Sequence, residues 1–131
     1  MHLIIDGYSD NQELLQDEAH LRKWLEDCPG RIGMNRISLP YVLRYVGSNR
    51  EDWGISGFVL ISESHISVHT FVERGYVNID IFSCADFDTE KAIEDARDEF
   101  QLFKLRTCLI DREWLAEVAT TSPMSFVHYG E

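Results

Sequence analysis

Ile61-Ser62-Glu63-Ser64-His65-Ile66-Ser67-Val68-His69-Thr70-Phe71-Val72-Glu73-Arg74-Gly75-Tyr76-Val77-Asn78-Ile79-Asp80-Ile81-Phe82-Ser83-Cys84 is the stretch on which the fold turns. Ser64 to Phe71 alternates at period two, with Ile66, Val68 and Thr70 on one side and Ser67, His69 and Phe71 on the other. Arg74-Gly75 supplies a turn. Tyr76 to Cys84 alternates again, with Val77, Ile79 and Ile81 opposed to Asn78, Asp80, Phe82 and Cys84. Gly57 to Ile61, just upstream, is a further apolar run. The links between these three segments are too short for crossover helices, so they predict an antiparallel meander.

Outward from this meander, Leu3 to Asp6 reads as a short first strand. Asp10 and Glu13 have capping-box spacing and predict a helix to about Asp27, with Leu14, Leu21 and Leu25 on its buried face. Cys28-Pro29-Gly30 reads as its stop. Arg31 to Ser38 and Tyr41 to Val46 are expected strands, followed by a polar loop over 47–52. Asp88 or Thr89 caps a second helix to about Phe103, with Ile93, Ala96, Phe100 and Phe103 as its stripe. Arg106 to Ile110 reads as one more strand, and the tail from Thr120 is expected to be loosely held. Strands and two helices without a βαβ rhythm predict one domain over 1–131, an α+β two-layer sandwich. Its sheet is mainly antiparallel, with the two helices on one face. The other sheet face carries His, Ser, Asn, Asp and Cys together, which is costly to bury without a reason. It marks a site or a polar dimer interface.

The composition narrows the function. Twelve basic against 23 acidic side chains give a net charge of −11, which repels nucleic acid and anionic lipid and mildly attracts cationic small molecules. No apolar run reaches the roughly 18 residues of a membrane span. The opening Met1 to Asp6 has no basic region with a long apolar segment, so a cytoplasmic protein is expected. Cys28, Cys84 and Cys108 are odd in number and widely spaced, which argues against a disulfide framework and against a zinc knuckle. His65 and His69 stand four apart on a strand, where their rings are too distant to share a metal, so none is expected.

Taken singly, Ser64 is a turn serine, His69 a core histidine and Cys84 an inert thiol. A Ser64-His69-Asp80 hydrolase lacks the GxSxG elbow. A third chemistry uses more of the residues at once. The Ser64 hydroxyl attacks the preceding Glu63 carbonyl and converts the amide to an ester. A base then removes the serine alpha proton, the ester leaves by elimination, and hydrolysis leaves a pyruvoyl group. His69 suits the base. Ser56 suits a hydrogen bond to the Glu63 carbonyl oxygen as charge builds there.

Gly54-Ile55-Ser56-Gly57, the Ser62-Glu63-Ser64-His65 block with His69, then Glu73, Gly75-Tyr76, Asp80 and Phe82-Ser83-Cys84 closely resemble the small prokaryotic S-adenosylmethionine decarboxylases. The opening His2-Leu3 with Asp6 also fits. The resemblance implies that family's α+β fold and self-cleavage between Glu63 and Ser64 into a β chain, 1–63, and an α chain, 64–131. It implies a pyruvoyl group from Ser64, which takes the substrate amine as a Schiff base. By the same resemblance His69 and Ser56 serve processing, Cys84 returns a proton to the alpha carbon, and Glu73 holds the ribose hydroxyls. A homodimer with stacked sheets and a product that feeds spermidine synthesis complete the expectation.

This sequence departs from the family around 44–53, where His-x-Phe and a Pro are usual, and where an aromatic helps stack the adenine. Tyr45 or Trp53 is a replacement ring. Ala85 and Phe71 stand where Gly and Trp are common. Two alternatives share the processing residues or the fold: a pyruvoyl decarboxylase of arginine or ornithine, and an unprocessed binding or regulatory homologue.

Overall fold

The computed structural model describes residues 1–62, 64–111 and 126–129. Among these residues ten elements follow one another: β1 (His2–Ser9), α1 (Gln12–Leu15), α2 (Glu18–Arg31), β2 (Tyr41–Val46), β3 (Trp53–Ile61), β4 (Ser64–Phe71), β5 (Tyr76–Phe82), α3 (Thr89–Phe100), β6 (Leu102–Ile110) and β7 (Phe126–Tyr129). The strands form one seven-stranded sheet in the order β2-β3-β4-β5-β1-β6-β7. Every neighbouring pair is antiparallel. The expected meander is β3-β4-β5, and Gly75 at φ 62° turns β4 into β5. The α+β sandwich expected from the pattern is the observed architecture.

The helices cover one face, with α2 over β2 and β3, and α3 over β1 and β6. Leu3, Ile5, Ile55, Val59, Ile66, Val68, Val77, Ile79 and Ile81 rise from the sheet into this layer and are fully buried. They meet Leu21, Trp24, Leu25, Ala96 and Phe100, and the Trp24 and Phe100 rings cross edge-on at 5.0 Å. Each such aliphatic or aromatic side chain contributes about 1.5–3 kcal/mol by leaving water. Between the helices, Asp95 accepts from the Trp24 indole at 2.8 Å and from Arg31 Nε at 2.6 Å. The Asp95 hydrogen bond raises the Arg31 pKa further, and burial pushes the neighbouring Cys28 thiol well above its ordinary range.

Several boundaries differ from the sequence expectation. The first helix is two helices, because Asn11 and Asp17 each cap a new start, accepting from Leu14 N at 3.0 Å and His20 N at 3.1 Å. Asp10 is not the cap. Pro29 does not stop α2, since a proline in the last turn forfeits only one ladder bond. The stop is a Schellman turn through Gly33 at φ 82°, with Gly33 N on Gly30 O and Met34 N on Pro29 O. The strand expected over 31–38 is absent apart from one bridge, Arg36 to Ile61, because Arg31 completes the helix. α3 ends at Phe100, where Gln101 turns left-handed at φ 53°, so Phe103 lies exposed on the next strand. Part of the tail is held: the backbone of Phe126–Tyr129 pairs with β6, and the rest lies outside the described residues. No helix among the described residues is long and apolar enough to cross a membrane.

Candidate active site

The second sheet face has no helix layer among the described residues. Alternation along each strand puts the polar side chains there, and the register lines them up in rows. Ser56, His69, Asn78, Asp6 and Arg106 form one row across β3, β4, β5, β1 and β6. Two residues further along lie Phe58, Ser67, Asp80, Ile4 and Cys108, and then Leu60, His65, Phe82, His2 and Ile110. Within this face three pairs of polar groups are joined: Ser56 Oγ with His69 Nδ1 at 2.8 Å, Asn78 Nδ2 to Asp6 Oδ1 at 2.5 Å, and His2 Nε2 with Asp80 Oδ1 at 2.9 Å. Tyr8, Tyr41, Leu43, Tyr45, Phe58 and Leu60 stand exposed around them.

Ser64 begins β4 in phase with Ile66 and Val68, so it is buried on the helix side. Its Oγ accepts from the Cys84 amide at 3.0 Å. Ser83 N, one residue earlier, donates to Met1 O at 2.9 Å, which ties the end of β5 to the start of β1. Cys84 itself is exposed. The structure therefore brings Ser64 and Cys84 together, and Ser56 and His69 together, as two separate pairs. His69 is five residues from Ser64 along one strand, about 17 Å at the usual rise, and on the opposite sheet face. Ser56 shares the His69 row. Glu73 stands apart again, in the β4–β5 turn, where its carboxylate accepts from the Trp53 indole at 3.1 Å. Glu63 lies outside the described residues. Asp80 turns to His2, so a Ser64-His69-Asp80 triad does not form within one chain.

The hydrogen bond with Ser56 Oγ engages His69 Nδ1 and leaves Nε2 as the second ring nitrogen, with the donor of the pair set by the tautomer. A cleft of about 290 Å³ opens on the same face between Asp6, Tyr8, Tyr76, Lys104 and Arg106, and Ser64, Cys84 and His69 do not line it. Three features were not legible beforehand. The first is the ring row His65-Phe82-His2, with centroids 5.5 and 6.2 Å apart. The others are the Trp53–Glu73 hydrogen bond and the Asp52–Arg74 ion pair at 3.0 Å. Each joins residues that only strand register makes neighbours.

Fold and side chains together define an α+β sandwich with reactive groups on and beside an open antiparallel face. The sequence model of the S-adenosylmethionine decarboxylase family matches residues 1–113, and the chain belongs to this family. The S-adenosylmethionine decarboxylase proenzyme of a Synechococcus species is 36% identical over 121 residues, covering 90% of this chain and 88% of its own. That of Archaeoglobus fulgidus is 32% identical over 112 residues, covering 85% of this chain and 95% of its own. The crystal structure of the adenosylmethionine decarboxylase from Aquifex aeolicus superposes with a TM-score of 0.67 over 87% of this chain and 94% of that one. At 20% identity this last likeness speaks for the fold.

Proposed function

We propose that this protein is a self-processing decarboxylase that converts S-adenosyl-L-methionine to S-adenosylmethioninamine and CO₂, supplying aminopropyl groups for spermidine synthesis. Family membership and the proenzyme relatives support the reading. The observation that carries it is the Ser64 Oγ hydrogen bond to the Cys84 amide, which sets a buried hydroxyl beside a thiol-bearing residue. The net charge of −11 suits a substrate that carries a sulfonium and an amine.

In this reading Ser64 Oγ attacks the Glu63 carbonyl carbon. The C–N bond breaks and the serine nitrogen takes the hydroxyl proton. A base removes the Ser64 alpha proton, the Cβ–Oγ bond breaks, and Glu63 leaves as a carboxylate. Tautomerisation, addition of water and loss of ammonia leave a pyruvoyl group at residue 64, with chains 1–63 and 64–131. Such a group supplies the electron sink for the pair released with CO₂. A buried first residue next to a thiol fits that need. Cys84 then delivers a proton to the alpha carbon, and Glu73 accepts the ribose hydroxyls.

Within one chain His69 is out of reach of Ser64, so the reading requires a second copy. A two-fold axis between two stacked open faces, running across the strands, brings the His69 row of one copy over the Ser64 end of the other, on the face away from the buried Ser64 Oγ, so that His69 approaches the Ser64 backbone that carries the alpha proton. The internally paired polar groups of that face lower the cost of burying it, and the exposed Tyr41, Leu43 and Phe58 favour burial. Intact-mass measurement on the purified protein tests the proposal: two fragments are expected, divided between Glu63 and Ser64, with Ser64→Ala folded, uncleaved and inactive. Undiminished CO₂ release by Ser64→Ala would overturn it.

A further inference from the structure

The β4–β5 turn carries Glu73, and the segment that departs most from the family, 44–53, lies against it. Two adjacent residues of that segment hold two adjacent residues of the turn. Trp53 Nε1 donates to Glu73 Oε1 at 3.1 Å, and Arg74 Nη2 donates to Asp52 Oδ1 at 3.0 Å. The backbones join as well, Val72 N donating to Trp53 O at 3.2 Å. Asp52 is steadied in turn by Asn49 Nδ2 at 3.2 Å.

The Trp53 ring is committed on several sides. The Arg44 guanidinium lies 4.5 Å from its centroid, the ring is half-buried against the core, and its N–H points to Glu73. A ring held this way has no two free faces with which to clasp a purine. Tyr45, by contrast, is 57% exposed on the open face. Among the described residues Glu73 has one oxygen bonded and no partner on the other, while its neighbouring cation is drawn off to Asp52. A carboxylate so arranged is oriented yet still able to accept hydroxyl protons.

We propose that Asp52 and Trp53 form a positioning clamp for Glu73, which makes Trp53 a determinant of ribose recognition and not the ring that stacks on adenine. This rests on the reading of Glu73 as the carboxylate that accepts the ribose hydroxyls. The clamp removes from the substrate the burden of ordering that side chain, so its loss weakens binding without touching the reacting atoms.

The test compares steady-state kinetics of the processed enzyme on S-adenosylmethionine and on an analogue lacking both ribose hydroxyls. Trp53→Phe keeps the ring and deletes the donor. KM for S-adenosylmethionine is expected to rise about three- to tenfold, with kcat and self-cleavage unchanged, and KM for the analogue is expected not to move. Asp52→Asn, which frees Arg74 to close on Glu73, should raise KM in the same way, and the added change Arg74→Gln should restore it. This second pair of variants decides the matter where Trp53→Phe fails to fold. An equal KM rise on both substrates, or none on either, overturns the clamp. Glu73→Gln separates the two ideas: a KM effect there with none from Trp53→Phe or Asp52→Asn rejects the clamp alone, whereas no effect from Glu73→Gln rejects the ribose reading and the clamp with it.

Discussion

Mixing two variants that cannot cleave alone should restore self-cleavage. In the proposed reading Ser64→Ala lacks the nucleophile and His69→Ala lacks the base. In one chain the two residues lie about 17 Å apart along β4 and on opposite sheet faces, whereas a general base must come within about 3 Å of its proton. If His69 acts on Ser64 of a second copy, a mixed dimer contains one intact site, Ser64 of the His69→Ala chain with His69 of the Ser64→Ala chain, and one doubly dead site. Random assortment from an equal mixture makes about half the dimers mixed, so about a quarter of all chains should cleave. All of the product should come from the His69→Ala chain. Co-refolding the variants with distinguishable mass tags and following intact mass reads both the yield and the parentage. Cleavage that stays at the level of the separate variants, in a sample where mixed dimers are demonstrated, would refute the shared site. So would full cleavage of His69→Ala by itself.

Two further predictions concern the helix layer. Asp95→Asn leaves the Trp24 indole and the Arg31 guanidinium without their shared charged acceptor, and urea denaturation should report a loss of about 2 kcal/mol; a loss below about 0.5 kcal/mol would make the contact an ordinary surface pair. Burial raises the folded-state pKa of Cys28, so the unfolded thiol ionises first. Its contribution is fully present below about pH 8.5 and falls by about 1.4 kcal/mol per pH unit above that, toward the folded value. Cys28→Ala should flatten this alkaline decline in a stability-against-pH series, and superimposable profiles for the two proteins would contradict it.

Local rules settled a large part of this molecule. The period-two alternation of Ser64 to Phe71 and Tyr76 to Phe82, with a glycine turn between them, was sufficient for the meander and for which side chains face the helices, because a pleated strand has no other way to bury Ile66, Val68, Ile79 and Ile81. The block Ser62-Glu63-Ser64-His65 with His69 and Cys84 was likewise enough for the family. Helix ends were less legible. Asn11 and Asp17, not Asp10, cap two successive helices, and the left-handed turn at Gln101 has no glycine to announce it.

What sequence could not decide is who stands beside whom. Ser56 and His69 are 13 residues apart in the chain, and Ser64 and Cys84 are 20 apart, yet each pair is in contact. Ser64 and His69 are near in sequence and far in space, because an odd offset along a strand sends two side chains to opposite faces. Trp53 meets Glu73 only because the start of β3 lies against the end of β4. Strand pairing is a long-range choice made by the whole core, so the residue types belong to the sequence and their partnerships to the sheet.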